Sequence, residues 1–242
     1  MDLQSVERNE KLVAEKQQVA AERKPFGVVA VAAGEGNAHI QNSLGVDIVV
    51  SGGQTMNPST ADLLDAVNAC NADAVIILPN NSNIIMTANS AAELAEVQCG
   101  VVPTKSVPQA FSAMFGYDAS ASLEDNIEAM TEAYSEVKTG EVTTAIKDSH
   151  DANGDPIAAG DIIGIADGSI DAVGSSLEDV VMALLEQMEA DDADTCTLLA
   201  GEDYPDDQLE ALVERIEETY DELEVESHRG EQPLYPIIFS VE

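Results

Sequence analysis

The 242-residue sequence predicts an α/β fold of two subdomains, a parallel sheet in the first half and a mixed α/β arrangement in the second. Two observations carry that reading. From Phe26 to Tyr117, short apolar runs of strand length alternate with helical patterns, the sequence form of βαβ units. After Ser122 the rhythm changes, and Asn153-Gly154 and Asp167-Gly168 stand as hairpin turns between short strand-like runs. Hydrophobic residues make up 45% of the chain, enough at this length for one large core or two small ones.

Residues 1–24 are rich in Glu, Lys, Gln and Ala without a sustained apolar stripe. They read as an exposed helical connector that Pro25 ends, so the chain is expected to continue from an upstream domain. The first subdomain is placed at 25–118, with strands over Phe26–Ala32, Val46–Val50, Ala74–Leu78 and Val101–Pro103. Its helices are Asn37–Leu44, Thr60–Ala69 with Leu63, Leu64 and Val67 inward, Ala88–Val97, and Val107–Phe115. The second subdomain, 119–242, opens on a helix capped by Ser122, where Leu123, Ile127, Met130 and Tyr134 recur at helical spacing. Strands follow over Glu141–Lys147, Asp161–Ala166 and Ser169–Val173, and Ser175 with Glu178 reads as a capping box for a helix reaching Met188. Thr195–Ala200 is a strand. Pro205 and two aspartates then open a helix with Leu209, Leu212, Val213, Ile216 and Tyr220 on one side. Glu222–Ser227 and Leu234–Val241 are the last strands.

Charge is the compositional outlier, with 46 acidic residues against 10 basic ones. Half of the bases (Arg8, Lys11, Lys16, Arg23 and Lys24) lie in the connector, where five acids balance them, so residues 25–242 carry the whole formal charge of −36. Such a field repels nucleic-acid phosphates and anionic membrane surfaces. It fits a basic partner or adaptation to salt equally well. No apolar run approaches the ~18 residues of a membrane span, and Met1–Arg8 lack the apolar core of a signal peptide. Cys70, Cys99 and Cys196 are odd in number, widely spaced and set in apolar context. They read as buried free thiols, consistent with a reducing cytoplasm. No Cys-x-x-Cys or His-x-x-x-His spacing occurs, so no structural metal site is expected.

The segment most telling about function is Ser51-Gly-Gly-Gln-Thr-Met-Asn-Pro-Ser-Thr60, between a strand and a helix. Gly52 and Gly53 allow backbone dihedrals that let main-chain N–H groups converge on a ligand, with Gln54 and Thr55 beside them. Ser59 is placed to cap the following helix with Asp62 in its first turn, and helix N-termini favour small anions. The same residues also make a well-capped turn that holds nothing. A second polar loop, Pro79-Asn80-Asn81-Ser82-Asn83, ends the next strand in the same way. Both are expected at the carboxyl edge of one parallel sheet, where ligands bind in open α/β folds. Arg229, in the glycine-containing loop between the last strands, either clamps a carboxylate or phosphate or pairs with a neighbouring acid.

These two loops, with the closing His228-Arg-Gly-Glu-Gln-Pro-Leu-Tyr235, resemble the C-terminal region of the ATP-binding subunit of bacterial fatty acid kinase, the dihydroxyacetone-kinase-like family. That region is itself similar to the DegV family of fatty-acid-binding proteins, and the resemblance covers residues 25–242. It implies a DegV-like two-subdomain fold. It also implies that the whole subunit phosphorylates a fatty acid held by a separate DegV-like carrier, in the cytoplasm, and one arrangement it allows is a homodimer of the full subunit. ATP and Mg would belong to the upstream domain, leaving this region with no cofactor and no catalytic residue of its own. The chain departs from the DegV pattern in one respect. DegV-like carriers resemble Thr-Ser-Gln-Pro-Ser at the first loop, whereas Gly-Gly-Gln-Thr-Met-Asn-Pro-Ser-Thr here lacks the paired hydroxyls and leaves Thr55 and Ser59.

Other chemistry is weakly signalled. Gly34-Glu-Gly36 opens like a dinucleotide fingerprint, but His39 stands where its third glycine belongs. There is no P-loop, and no nucleophile-elbow sequence for His39, His150 or His228 to serve. Two readings stand: a non-catalytic partner-docking domain, or a fatty-acid-binding module whose candidate ligand residues are Gly52, Gly53, Gln54, Thr55, Ser59, Asn80, Asn81, Ser82 and Arg229.

Overall fold

Four strands, three of them rich in β-branched residues or alanine, build the first sheet of the computed structural model, which describes residues 23–52, 57–151 and 153–242. The expected connector, but for its last two residues, lies outside the described residues. Strands β1 (Lys24–Ala32), β2 (Ile48–Ser51), β3 (Ala72–Leu78) and β4 (Gln98–Val101) are all parallel, in the order β2-β1-β3-β4. The central strands β1 and β3 are apolar on both faces because helices cover both. On one face Val29, Val31, Val75 and Ile77 pack against helices α2 (Thr60–Ala69) and α3 (Ile85–Leu94). On the other, Val28, Ala30, Ile76 and Leu78 meet α4 (Val107–Phe115) and α5 (Leu123–Ala133) through Ala110, Ala113, Met114 and Met130. Helix α1 (Glu35–Ser43) follows β1 directly.

The second sheet is mixed. Its strands are β5 (Lys138–Thr144), β8 (Ile162–Ala166), β9 (Ser169–Gly174), β10 (Thr195–Ala200), β11 (Glu224–Arg229) and β12 (Ile237–Val241), while β6 (Ser149–His150) and β7 (Pro156–Ile157) form a separate hairpin. The order is β11-β10-β12-β5-β8-β9, antiparallel except for β10 with β11. Val142, Leu198 and Phe239 point to helices α6 (Leu177–Gln187) and α7 (Asp206–Thr219), whose Val181, Leu184, Leu185, Leu212 and Ile216 close the largest core. Alternation along each strand turns Thr139, Glu141 and Ile238 the other way, towards the first subdomain.

Helix α4 joins the two halves. Its alanines and Met114 serve the first core, while the Ser106 hydroxyl at its N-terminus pairs with that of Thr139 at 2.8 Å, and Ser112 Oγ donates to Glu242 Oε2 at 2.8 Å. Gln109 Nε2 also donates to the Val137 carbonyl, at 3.3 Å. Several placements differ from the sequence reading. Strand β4 is Gln98–Val101 rather than Val101–Pro103, and β12 begins at Ile237 rather than Leu234. The strand expected over Glu141–Lys147 begins at Lys138, because Gly140 leaves room for the Phe239 ring, which a Cβ there would meet at 2.3 Å. Helix α6 is capped by Ser176, whose hydroxyl accepts from Asp179 N, rather than by Ser175 with Glu178. The helix placed at Ala88–Val97 runs from Ile85 to Leu94 and leaves 95–97 to lead into β4.

Candidate functional site

A cavity of about 260 Å³ lies at the carboxyl edge of the first sheet, walled on its other side by the second subdomain. Its floor is the ends of β1 and β3, neighbours whose connections leave the sheet on opposite sides, the topological switch point where open α/β sheets take ligands. Val31, Ile84, Leu234 and Ile238 give it an apolar lining. Ser51 and Gly52, where the first loop begins, share its wall with Asn80 and Asn81 from the second loop. Gly53, Gln54 and Thr55 lie outside the described residues.

The sequence-selected residues divide by what their side chains already hold. Ser59 forms the expected capping box, accepting from Asp62 N at 3.2 Å while its own N–H and hydroxyl donate to Asp62 Oδ2. Those hydrogen bonds hold the Asp62 carboxyl below its ordinary pKa. Asn80 sits in the left-handed region at φ 57°, its amide donating to the Val31 carbonyl at 2.8 Å and accepting from the Thr104 hydroxyl at 2.7 Å. It ties the ends of β1 and β3 together. Asn81 accepts from Asn83 N at 2.9 Å, and its Nδ2 has no partner among the described residues. Ser82 is exposed on a polar groove of about 370 Å³ beside the cavity, shared with Asn81, Lys105, Glu141 and Asp167. Arg229 donates to the carbonyls of Gly201, Glu202 and Tyr204 and to Asp206, which commits its guanidinium to the turn between β10 and α7.

Sequence reading missed the residues that lock the two halves at this place. Gln232 donates from Nε2 to the carbonyls of Leu199 at 2.8 Å and Tyr235 at 3.1 Å, and accepts from Asn37 Nδ2 at 3.2 Å. Asn37 N donates to the Gly230 carbonyl at 3.0 Å. The paired glycines that resemble a nucleotide fingerprint serve this contact. A Cβ on Gly34 would fall 2.2 Å from the Gly230 oxygen, and one on Gly36 1.8 Å from the Arg229 oxygen. Tyr235, half-buried at the cavity wall, has its phenol pushed up to about 12 by burial and by Glu141.

Among the described residues no group of His, Cys, Asp and Glu converges as metal ligands, so the donor set does not fit a protein-held Mg²⁺. His39 and His150 are exposed, and His228 faces Glu226 at 3.6 Å on the outer edge of β11. No helix among the described residues is long and apolar enough to cross a membrane.

The family model for the C-terminal part of the A-like subunits of fatty acid kinase matches residues 27–242. The chain belongs to this family. Protein YloV of Bacillus subtilis is 44% identical over 220 residues, which cover 91% of this chain and 40% of that protein. The chain thus spans about 40% of the length of the curated relatives it matches. The fold of this fatty acid kinase C-terminal region is that of DegV proteins. A DegV family protein from Corynebacterium glutamicum superposes with a TM-score of 0.64 at 14% identity, over 90% of this chain and 97% of that one. The Streptococcus pneumoniae fatty acid kinase B3 protein, solved loaded with linoleic acid, superposes with a TM-score of 0.60 at 11% identity, over 90% and 99%.

Proposed function

We propose that this chain is the docking domain of a fatty acid kinase subunit, receiving a DegV-like carrier that holds the acyl substrate. The observation that carries this reading is that a chain matched by the family model of the A-like subunit has the fold of a fatty acid kinase B3 protein solved loaded with linoleic acid. Its cavity of about 260 Å³ has the position of a ligand site and lies near the lower end of the roughly 300–1,000 Å³ of ligand pockets. Asn37 and Gln232, joined by a hydrogen bond, and Tyr235 line its wall. In this reading a kinase whose C-terminal region keeps the carrier fold takes its acyl chain on another protein, and a fatty acid kinase B3 protein loaded with linoleic acid is such a protein. ATP and Mg then belong to the part of the longer relatives that this chain does not span.

Surface-plasmon titration of the chain against a linoleate-loaded DegV-like carrier tests the reading, with saturable binding as the expected result. Calorimetry with free linoleate and with Mg-ATP is expected to give no saturable heat. The rival reading, an acyl-carboxylate module, has the apolar lining of Val31, Ile84, Leu234 and Ile238 in its favour. A saturable linoleate complex without carrier binding would establish the rival.

A further inference from the structure

Carboxylates are spread over almost the whole chain, 46 in 242 positions, with one conspicuous gap. No charged residue occurs from Ala74 to Ala92, and from Val97 to Tyr117 the only one is Lys105. These segments supply the loop after β3, most of α3, β4 and the start of α4. The first subdomain's wall around Asn81–Asn83 is therefore uncharged except for one cation.

That cation is unused. Arg23, Lys24, Lys138, Arg215 and Arg229 each pair with a carboxylate, whereas Lys105, which lines the polar groove, and Lys147, which lines neither the groove nor the cavity, have no ion pair among the described residues. Two further donors face the same space. Asn81 is only 8% exposed, lines both the cavity and the groove, and its Nδ2 donates to nothing among the described residues. Ser106 and Thr139 share a single hydroxyl–hydroxyl bond at 2.8 Å, which uses one of their two hydrogens. Leu234, at the cavity wall, is 57% exposed, and Met86, at the start of α3 just beyond the second loop, is 79% exposed. Leu234 is held at φ 69°, a left-handed conformation disfavoured for leucine, with its carbonyl accepting from Thr143 Oγ1 at 2.6 Å.

We propose that this face, formed by Asn81–Asn83, Met86, Lys105 and Leu234, is the surface on which the partner protein docks. The partner meets it with apolar side chains that cover Met86 and Leu234 and a carboxylate reaching Lys105 and the Asn81 amide. The inference rests on the docking reading above and gives that reading a place on the molecule. Interface centres are depleted of charge and enriched in methionine and aromatics, and an unpaired lysine beside an unpaired amide receives a carboxylate by charge-assisted hydrogen bonds. Glu141 and Asp167 on the opposite wall confine that carboxylate to the first-subdomain side. Elsewhere the −36 field repels an acidic surface.

The test is surface-plasmon binding of the full chain and its variants to a linoleate-loaded DegV-like carrier, with thermal melts as the folding control. Lys105→Glu and Met86→Asp are expected to weaken binding by about 10-fold or more, while Glu214→Lys on the acidic side of α7 does not weaken it. Both altered side chains are exposed, so the variants are expected to melt like the parent. Carrier binding by the parent that neither substitution weakens would overturn this surface and leave the docking reading standing. No carrier binding by the parent would overturn both.

Discussion

Gly36 lies so close beneath the Arg229 carbonyl that a Cβ on it would fall 1.8 Å from that oxygen, less than any non-bonded contact allows. The neighbouring Gly34 is doubly constrained, by φ 92° and by the Gly230 oxygen at 2.2 Å from its would-be Cβ. These are contacts between the start of α1 and the end of β11, so two hydrogen atoms set how closely the subdomains approach. Gly36→Ala is therefore expected to destabilise the fold by about 3 kcal/mol, the upper part of the usual overpacking range. Gly154, also at positive φ but with nothing within 4 Å, supplies the contrast. Gly154→Ala is expected to lose only the ~1–2 kcal/mol of a left-handed backbone. Urea unfolding of the two variants side by side checks the difference, and equal losses would refute a steric role for Gly36.

Gln41 is 1% exposed on the inner side of α1, and neither its Nε2 nor its Oε1 has a hydrogen-bond partner among the described residues. A buried amide left unpaired costs about 1–3 kcal/mol for each polar group, whereas an apolar side chain of similar length leaves nothing unsatisfied. Gln41→Met is expected to stabilise the chain by about 1–2 kcal/mol, or roughly 2–8 °C in melting temperature for a protein of this size. A lower melting temperature would mean that the amide is satisfied by a bound group and is retained for it.

What the sequence disclosed here follows the range of the interactions concerned. The partners of the Ser59–Asp62 cap are three positions apart, and the strand–loop–helix contexts of Ser51–Gly52 and Asn80–Asn81 are complete within short windows, so all of these were legible. The start of β5 at Lys138-Thr-Gly-Glu was not, because Gly140 reads as a strand breaker until the Phe239 ring is placed above it. The Asn37–Gln232 bond joins residues 195 apart, and no local pattern announces it. Gly34 and Gly36 gave a visible signal whose cause was hidden: close backbone approach, to protein rather than to a nucleotide. Arg229 was conspicuous for its rarity, yet it holds the carbonyls of a turn more than twenty residues away.

The three thiols give the chain a predictable alkaline limit. Burial pushes Cys196 up to about 12 and Cys70 to about 11, and burial with the nearby Cys70 takes Cys99 to about 12, against an ordinary value of 9.0. The folded chain then holds these protons at pH values where the unfolded chain has released them. Between the two pKa values the native state binds more protons, so stability falls as pH rises past about 9 and is unaffected by these groups at neutral pH. Tyr235 and Tyr204, whose phenols burial also raises, act in the same direction above pH 10. Urea midpoints are expected to hold near neutral pH and drop between pH 9 and 11, and Cys196→Ala is expected to flatten that drop. A thiol-reactive disulfide reagent at pH 8 should label native Cys70 and Cys196 far more slowly than the unfolded chain, since only the thiolate attacks. Rapid labelling of Cys196 in the native state would mean that the core between α6 and α7 opens readily, and the alkaline prediction would fall with it.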